Sequence, residues 1–456
     1  MFSLGIMWAF VSFLCLFLTL FYSVFTPSLI GILWLLISML LILHKNEKLN
    51  IFSPFLITVF TISFCFGLIP LYLLFSGRLG DLEILRALIF IIIFVLSFAI
   101  GYCLRIGGLL TSKIPPFSDR WSKIKLKIVC CIAIIGGILG YISLLYLSGF
   151  MTNPLQVFKN PLLFRWKIEN YGVTYIKFLT FYSLSVPLFL LLVKLFRNEL
   201  KERKRILFFI FIYFIFYEAL AFTTGSRGAV IVPILSIGVM YSYLRRPIPL
   251  RYLFLIIPVF SLTIIIFSIF YLNYRTVGVG NISVSLNAKQ AFLYFLDRFS
   301  DSFEGLTILI SKYESNHSFL YGRSLADFLC QPIPRNLWPA KPYHTSVLLT
   351  EQFLPHVFEA NVTYEFSFIG ELFINFHFAG ILIGGFLFGI FIKIFHLYLK
   401  RYPLNKGVIY WYANIFIFPA GLLLAGFNSG ATVRFLFNTL MSILILTIIR
   451  HPKIHV

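Results

Sequence analysis

Arginines in constrained turns are the residues of this sequence best suited to binding phosphate. Arg227 lies in the turn Gly-Ser-Arg-Gly at 225–228, Arg335 lies in a proline-rich segment, and Arg434 follows a turn of small residues at 428–432. A guanidinium stays charged at any working pH and offers a planar fork of donors to phosphate oxygens. Several such cations together would suit a pyrophosphate, and the set is completed by Arg275, Arg298 and Lys341.

Three residues near these cations in sequence could accept a proton. Glu365 and Glu371 flank an apolar segment, and His344 lies shortly after Arg335. A positioned carboxylate or imidazole can deprotonate a hydroxyl, which is otherwise a poor nucleophile at neutral pH. A spacing of six does not place Glu365 and Glu371 on one helical face, so we expect only one of them to point into a shared cavity.

The motifs of several other chemistries are absent from the sequence. It contains no glycine-rich phosphate loop, no His-Glu-x-x-His, no cysteine cluster and no Gly-x-Ser-x-Gly turn. Nucleotide, zinc and serine-hydrolase chemistries therefore lack their usual signals. We predict no metal and no cofactor, so that arginine must neutralise any phosphate.

Membrane-spanning helices must position these residues, because the chain is far more apolar than a soluble domain. Of its 456 residues, 59% are hydrophobic and 12% are charged. Apolar runs of about 20 residues, the length that spans a bilayer as a helix, recur along it. We predict an all-α polytopic membrane protein with about twelve transmembrane helices. The predicted spans lie near 3–25, 28–43, 51–75, 84–104, 128–148, 174–196, 206–224, 228–244, 252–273, 374–398, 407–426 and 431–449.

The placement of basic residues predicts which side of the membrane is cytoplasmic. When the loops are assigned to alternating sides, one side holds 23 of the 38 Lys and Arg residues. Short loops rich in Lys and Arg are cytoplasmic, so both termini should lie there and 274–370 should lie outside. This asymmetry accounts for the net charge of +21 without a nucleic acid partner.

The long outer segment 274–370 is expected to fold as a helical cap, since a structureless loop of this length is uncommon in a compact domain. Within it, 288–313 has an apolar stripe at helical spacing that includes Phe303 and Leu306. Three acids share another face of this helix, which we interpret as solvated: Asp297, Asp301 and Glu304. The chain thus divides into spans at 1–273, the cap at 274–370 and spans at 371–456.

Two glycine pairs within apolar runs predict close helix packing. Gly136 with Gly140, and Gly380 with Gly384, have the four-residue spacing that lets helix backbones approach each other. We expect packing to be their whole role.

Three segments carry a resemblance to a known family. They are the turn at 225–228, Ile-Pro-Arg-Asn-Leu-Trp-Pro-Ala-Lys-Pro at 333–342, and Gly-Glu-Leu-Phe-Ile-Asn-Phe at 370–376. With these motifs, over about 225–390, the chain resembles the O-antigen (oligosaccharide repeat-unit) polymerase family, and the proline-rich segment is the most specific of them. His377 departs from the pattern, because members of the family often have glycine at that position.

The resemblance implies a GT-C-like, metal-independent glycosyltransferase of the bacterial inner membrane whose active site faces the periplasm. It would polymerise undecaprenyl-pyrophosphate-linked oligosaccharide repeat units into O-antigen or a related surface polysaccharide. The six cations named above would then hold the pyrophosphate. Glu371, in the family's Gly-Glu motif, would be the catalytic base, with Glu365 and His344 as alternatives. The flat faces of Trp338, Tyr343 and Tyr274 would suit sugar rings.

The same residues leave two other functions open. An O-antigen ligase would use the same donor and transfer glycan to a lipid A core, and a lipid-linked oligosaccharide flippase would not be an enzyme. A transporter should show polar residues through both leaflets and internal symmetry, whereas the polar residues here favour the outer half. The expected partners of the polymerase are its lipid-linked substrates, membrane lipids, a chain-length regulator and a flippase.

Overall fold

The computed structural model describes residues 26–43, 50–170, 174–199, 203–224, 226–248, 288–316, 319–331, 333, 337–359 and 363–451. All regular structure in these residues is helical. The first helices are α1 (Thr26–Leu43), α2 (Pro54–Phe75, with a π-helical turn at Phe64–Leu68), α3 (Asp81–Cys103), α4 (Ile106–Ser112), α5 (Lys123–Leu147), α6 (Gln156–Lys159), α7 (Pro161–Asn170), α8 (Thr174–Phe196), α9 (Arg203–Thr223) and α10 (Arg227–Leu244). They are followed by α11 (Ala288–Asn316), α12 (Arg323–Asp327), α13 (Thr345–Phe353), α14 (Pro355–Glu359), α15 (Ser367–Arg401), α16 (Lys406–Ile415), α17 (Phe418–Ala425) and α18 (Gly430–Ile449).

The helices confirm the predicted all-α membrane fold. Within the described residues, 8 helical stretches are long and apolar enough to cross a bilayer, and α16 and α17 together form one of them. Shorter apolar helices cover Thr26–Leu41 and Gly228–Leu244, both predicted as spans. The predicted spans at 3–25 and 252–273 lie outside the described residues. The total of about twelve spans, the GT-C-like architecture and the division at 273 and 370 stay predictions.

The chain forms two compact units, each built from separate parts of the sequence. The first comprises Met1–Ile114, Leu293–Arg401 and Ile417–Val433, and the second comprises Pro115–Phe292, Tyr402–Phe416 and Arg434–Val456.

In the first unit, glycines bring the backbones of α3 and α15 together. A Cβ at Gly101 or Gly389 would overlap a backbone carbonyl oxygen of the other helix, and one at Gly385 would approach the carbonyl oxygen of Phe94 to 2.8 Å. Such close approach gives van der Waals contact that lipid cannot replace. The α3–α15 pair is therefore a tightly packed support for the residues at the start of α15.

In the second unit, glycines of α5 pack against α8. A Cβ at Gly140 would overlap the hydroxyl of Thr180, and one at Gly137 would come within 2.6 Å of the Leu184 side chain. Gly136 has open space where its Cβ would lie, so the predicted pair of Gly136 with Gly140 was half wrong. Consecutive residues of a helix point about 100° apart, so Gly137 faces α8 and the neighbouring Gly136 does not.

Acids of α11 that we interpreted as solvated hold this helix against the connection between α2 and α3. Arg78, in the connection between α2 and α3, contacts Asp297 at 2.5 Å and Glu304 at 2.9 Å. Glu304 also accepts a hydrogen bond from the hydroxyl of Tyr364, and Asp297 accepts one from Tyr72 at 2.6 Å. Glu304 is only 8% exposed, so the interpretation of a solvated face was wrong for this residue.

Asp297 and Glu304 of α11 pair with Arg78. This residue is far away in sequence, so the helical spacing of the acids could not indicate it. Burial alone would lower the pKa of Arg78, yet the facing carboxylates of Glu304 and Asp297 raise it. Burial, and next the hydrogen bond to Glu304, raise the pKa of the Tyr364 phenol. The predicted apolar stripe of α11 is confirmed, since Phe303 and Leu306 are fully buried.

Candidate functional site

The helix that carries Glu371 is broken a few residues further on. Within α15, Phe376 (φ −142°, ψ 19°) and His377 (φ 51°, ψ −139°) leave the helical conformation. Side-chain atoms of Leu372 lie where a Cβ on Gly384 would be, although twelve residues of straight helix would separate them by about 18 Å. The segment 367–375 therefore folds back against the rest of α15. The backbone carbonyls at the end of this segment are then free to accept hydrogen bonds from other parts of the chain.

The backbone of His377 has a conformation that is unusual for a residue with a side chain. A residue with φ 51° and ψ −139° lies where a side chain is strained, so glycine adopts this turn most easily. The imidazole packs instead against Phe373 and Phe319, with ring centres 5.1 and 5.4 Å apart. The predicted packing of Gly380 and Gly384 is confirmed, because a Cβ at either would overlap Leu372.

The break exposes backbone carbonyls that bind the segment leading into α12. The N–H of Leu320 donates to the carbonyl of Ile374 at 2.9 Å, and that of Tyr321 donates to the carbonyl of Asn375 at 3.1 Å. The Asn375 side chain accepts from the N–H of Gly322 at 3.0 Å and donates to the Ser324 hydroxyl at 2.7 Å. These bonds hold Ser324, near the start of α12, within hydrogen-bond distance of residues in segment 367–375.

Glu371 is the centre of the polar cluster formed in this way. Its carboxylate is 2% exposed and accepts hydrogen bonds from the hydroxyls of Ser324 (2.9 Å) and Thr345 (3.3 Å). The backbone N–H of Asn428 donates to both carboxylate oxygens at 3.2 Å, and that of Phe427 donates to Oε2. Four donors from three separate segments can stabilise a buried negative charge that desolvation alone would disfavour.

A glycine allows the third segment to reach the carboxylate. Gly426 ends α17 with φ 87°, and a Cβ there would lie 2.7 Å from Oε2 of Glu371. Phe427 then packs its ring against Phe328 at 4.9 Å between centres. The turn at 426–428 is thus held by both polar and apolar contacts.

Two polar side chains beside this turn have no hydrogen-bond partner among the described residues. They are the carboxamide of Asn428, of which both polar atoms are buried, and the hydroxyl of Thr432 in the first turn of α18. Asn428 and Thr432 are 1% and 3% exposed. Buried polar groups in proteins are normally hydrogen-bonded, so these three atoms retain hydrogen-bonding capacity that a polar ligand could use.

The predicted cations occupy several different positions. Arg227 is the first residue of α10, although the described part of the chain does not include its side chain or that of Arg298. Arg434 is exposed, with its guanidinium carbon 5.1 Å from the centre of the Phe178 ring. Lys341 is buried and donates to the carbonyl oxygens of Gln331 and Ile333. Arg335 and Arg275 lie outside the described residues.

The other predicted site residues differ in position and in exposure. His344 is the N-cap of α13 and directly precedes Thr345, so it lies next to a Glu371 contact in sequence. Glu365 is half-buried, and its carbonyl oxygen packs against Gly305 of α11. Trp338 and Tyr343 are exposed, at 38% and 47%, whereas Tyr274 lies outside the described residues.

A comparison with known families decides the identity of the chain. The family model of O-antigen polysaccharide polymerase Wzy matches residues 4–451. The chain belongs to this polymerase family. No curated protein matches the chain, and no solved structure does either. The match confirms the family resemblance and identifies a multi-pass membrane protein of polysaccharide biosynthesis.

Several residues at the centre of this polymerase's cluster were not foreseen from its sequence. Ser324, Thr345 and Asn428 contact Glu371 from positions far apart in the chain. One signal was available: Asn375 follows Glu371 by four residues and therefore shares its helical face. Arg323 is a further cation near the cluster: it is exposed and begins α12, directly before Ser324 in sequence.

Proposed function

We propose that this polymerase joins undecaprenyl-pyrophosphate-linked oligosaccharide repeat units into O-antigen or a related surface polysaccharide. The reaction is a glycosyl transfer without a metal ion, at the periplasmic face of the bacterial inner membrane. The observation that carries the proposal is the buried Glu371 carboxylate, oriented by four donors beside two polar side chains that have no partner among the described residues. The excess of Lys and Arg in the short loops supports the orientation.

Glu371 acts as the catalytic base in this proposal. The sugar hydroxyl that attacks the donor must lose its proton, and a positioned base typically contributes about 10² to 10⁴ in rate. Oε1 is the oxygen that the hydroxyl approaches, because its bond from Thr345 is long at 3.3 Å and comes from a hydroxyl that can rotate away. The backbone donors at 427–428 hold Oε2 in place meanwhile. Glu365 and His344 remain the alternatives.

The leaving pyrophosphate is held by arginines, with Arg227, Arg335 and Arg434 as the principal ligands. Charge on the leaving group develops during transfer, and fixed guanidinium forks stabilise it without a metal ion. Arg275, Arg298 and Lys341 complete the set. We expect Arg→Lys variants at 227, 335 and 434 to be expressed normally and to lose most polymerisation, since lysine keeps the charge but not the fork. Wild-type chain lengths in all three variants would refute this assignment.

The exposed aromatic residues of the cap bind the growing glycan. Trp338 and Tyr343 present large apolar rings to solvent, which is the geometry that stacks on the apolar face of a sugar. Tyr274 has the same role in the proposal. A flippase that supplies the substrate and a chain-length regulator would meet the protein at this outer side.

The proposal is tested with purified protein in lipid, supplied with its own lipid-linked repeat units in the presence of EDTA. We expect a ladder of products on undecaprenyl pyrophosphate, each one repeat unit heavier than the last, by mass spectrometry. Transfer that requires added lipid A core would identify a ligase. Movement of the substrate across vesicles without new glycosidic bonds would identify a transporter. Strict dependence on magnesium would refute the metal-independent mechanism.

A further inference from the structure

The unsatisfied groups of Asn428 and Thr432 belong to the segment whose backbone contacts Glu371. The backbone N–H of Asn428 donates to the Glu371 carboxylate. The Asn428 side chain therefore branches from a residue that contacts the carboxylate directly. Thr432 follows after four residues, one turn further on, at the start of α18. Neither the carboxamide atoms of Asn428 nor the hydroxyl of Thr432 meets a hydrogen-bond partner in the described part of the chain. Three polar atoms of this short segment are thus buried without the bonds that normally accompany burial.

The chemistry of these atoms selects one kind of ligand. The carboxamide has an oxygen that needs a donor and a nitrogen that needs an acceptor, and the Thr432 hydroxyl can serve as either. A phosphate oxygen only accepts, so it would leave the Asn428 oxygen unsatisfied, and the neighbouring Glu371 carboxylate would repel its charge. A sugar hydroxyl both donates and accepts, and adjacent hydroxyls of one ring can satisfy both residues.

We propose that Asn428 and Thr432 form a subsite that binds hydroxyl groups of the incoming sugar ring next to Glu371. The subsite places the attacking hydroxyl and selects the ring, while pyrophosphate is bound elsewhere. This inference rests on the proposed function, because it assigns the acceptor sugar to the same cluster.

An apolar replacement separates a binding role from a structural role. Thr432→Val keeps the shape and removes a hydroxyl that has no partner within the described protein, so the folded state should not lose stability. Leucine is similar in size to asparagine, so Asn428→Leu likewise removes polar atoms that lack a partner in the described residues and should not lower stability. Thr432→Ser keeps the hydroxyl and should bind as the wild type does. Thr447→Val, an exposed position near the end of the same helix, is the matched control.

The test measures binding to the full-length protein in lipid with two probes. One is the free oligosaccharide repeat unit released from the lipid-linked precursor by mild acid, and the other is undecaprenyl pyrophosphate without sugar. We expect Thr432→Val and Asn428→Leu to weaken oligosaccharide binding by about tenfold each, the loss of one good hydrogen bond pair. Their binding of undecaprenyl pyrophosphate and their melting temperatures should not fall.

Three results would overturn the inference. Unchanged oligosaccharide binding in both variants would mean that the polar atoms serve only an internal water. A parallel loss of undecaprenyl pyrophosphate binding would make the site an anion site. A melting temperature that falls by several degrees for Thr432→Val would make the hydroxyl structural. Because these measurements are of binding, they remain informative even if the wild type forms no polymer, which is the result that would refute the proposed function itself.

Discussion

Replacing Glu371 by glutamine and by leucine should separate its chemistry from its structural role. Glutamine keeps one oxygen, which can face the N–H groups of Phe427 and Asn428. Its amide nitrogen then faces Ser324 and Thr345, whose hydroxyls can rotate to accept from it. Backbone N–H groups cannot rotate in this way, so leucine leaves both of them buried without an acceptor.

The two substitutions should differ clearly in stability. Hydrogen bonds to a charged group contribute about 1.5–3 kcal/mol and neutral ones about 0.5–1.5 kcal/mol, so glutamine loses part of each bond. Glutamine also avoids the cost of burying a charge. The free energy of unfolding of Glu371→Gln should therefore remain within about 2 kcal/mol of the wild type. Two orphaned N–H groups at about 1–3 kcal/mol each make Glu371→Leu less stable by about 2–6 kcal/mol. That is a large fraction of the total stability of a typical domain, about 5–15 kcal/mol.

The assay combines a melting curve of the purified protein in lipid with binding of the lipid-linked substrate and the rate of chain growth. Glu371→Gln should melt near the wild type, bind substrate and lose about 10² to 10⁴ in rate. Near-normal turnover by Glu371→Gln would refute the base assignment and move it to Glu365 or His344. A melting temperature as low as that of Glu371→Leu would show that the carboxylate is structural.

Three further predictions test the surrounding structure. Gly426→Ala adds a Cβ 2.7 Å from Oε2 of Glu371 at a φ of 87°, so it should lower the melting temperature by several degrees and abolish polymerisation in cells. Arg78→Gln should speed hydrogen exchange in α11, because it leaves Glu304 buried without its cation, and adding Glu304→Gln should partly restore protection. His377→Gly should cost less stability than His377→Val, since relief of the strained backbone offsets the lost ring contacts; equal losses in the two melting curves would contradict this.

The membrane helices could be predicted from sequence because each one carries its own signal. Twenty apolar residues in a bilayer have few alternatives to a helix, so length and hydropathy are sufficient. The same local logic located the apolar stripe of α11, including Phe303. It failed for Glu304, because burial of that acid depends on Arg78, more than two hundred residues away in sequence.

The candidate site could be predicted only in part for a similar reason. Glu371 was found through a short motif, and Asn375 could have been found from its helical spacing. Ser324 reaches the carboxylate because the end of the broken helix binds residues 320–324, and Thr345 reaches it from another distant segment. No periodic pattern in the sequence predicts such a break, since the residues on either side of it are apolar and helical. The one local sign was the expectation, drawn from the family resemblance, that glycine often occupies position 377.

The most direct test of the account is to find where the sugar of the substrate binds. A lipid-linked repeat unit that carries a photoreactive diazirine on its non-reducing sugar is bound to the purified wild-type protein in lipid, irradiated, and the labelled peptides are identified by mass spectrometry. The account predicts labelling of peptides that contain Ser324, Thr345 or the turn at 426–432, with loss of labelling when unlabelled substrate competes. Competed labelling confined to the basic loops, such as 113–127 or 400–406, would contradict it.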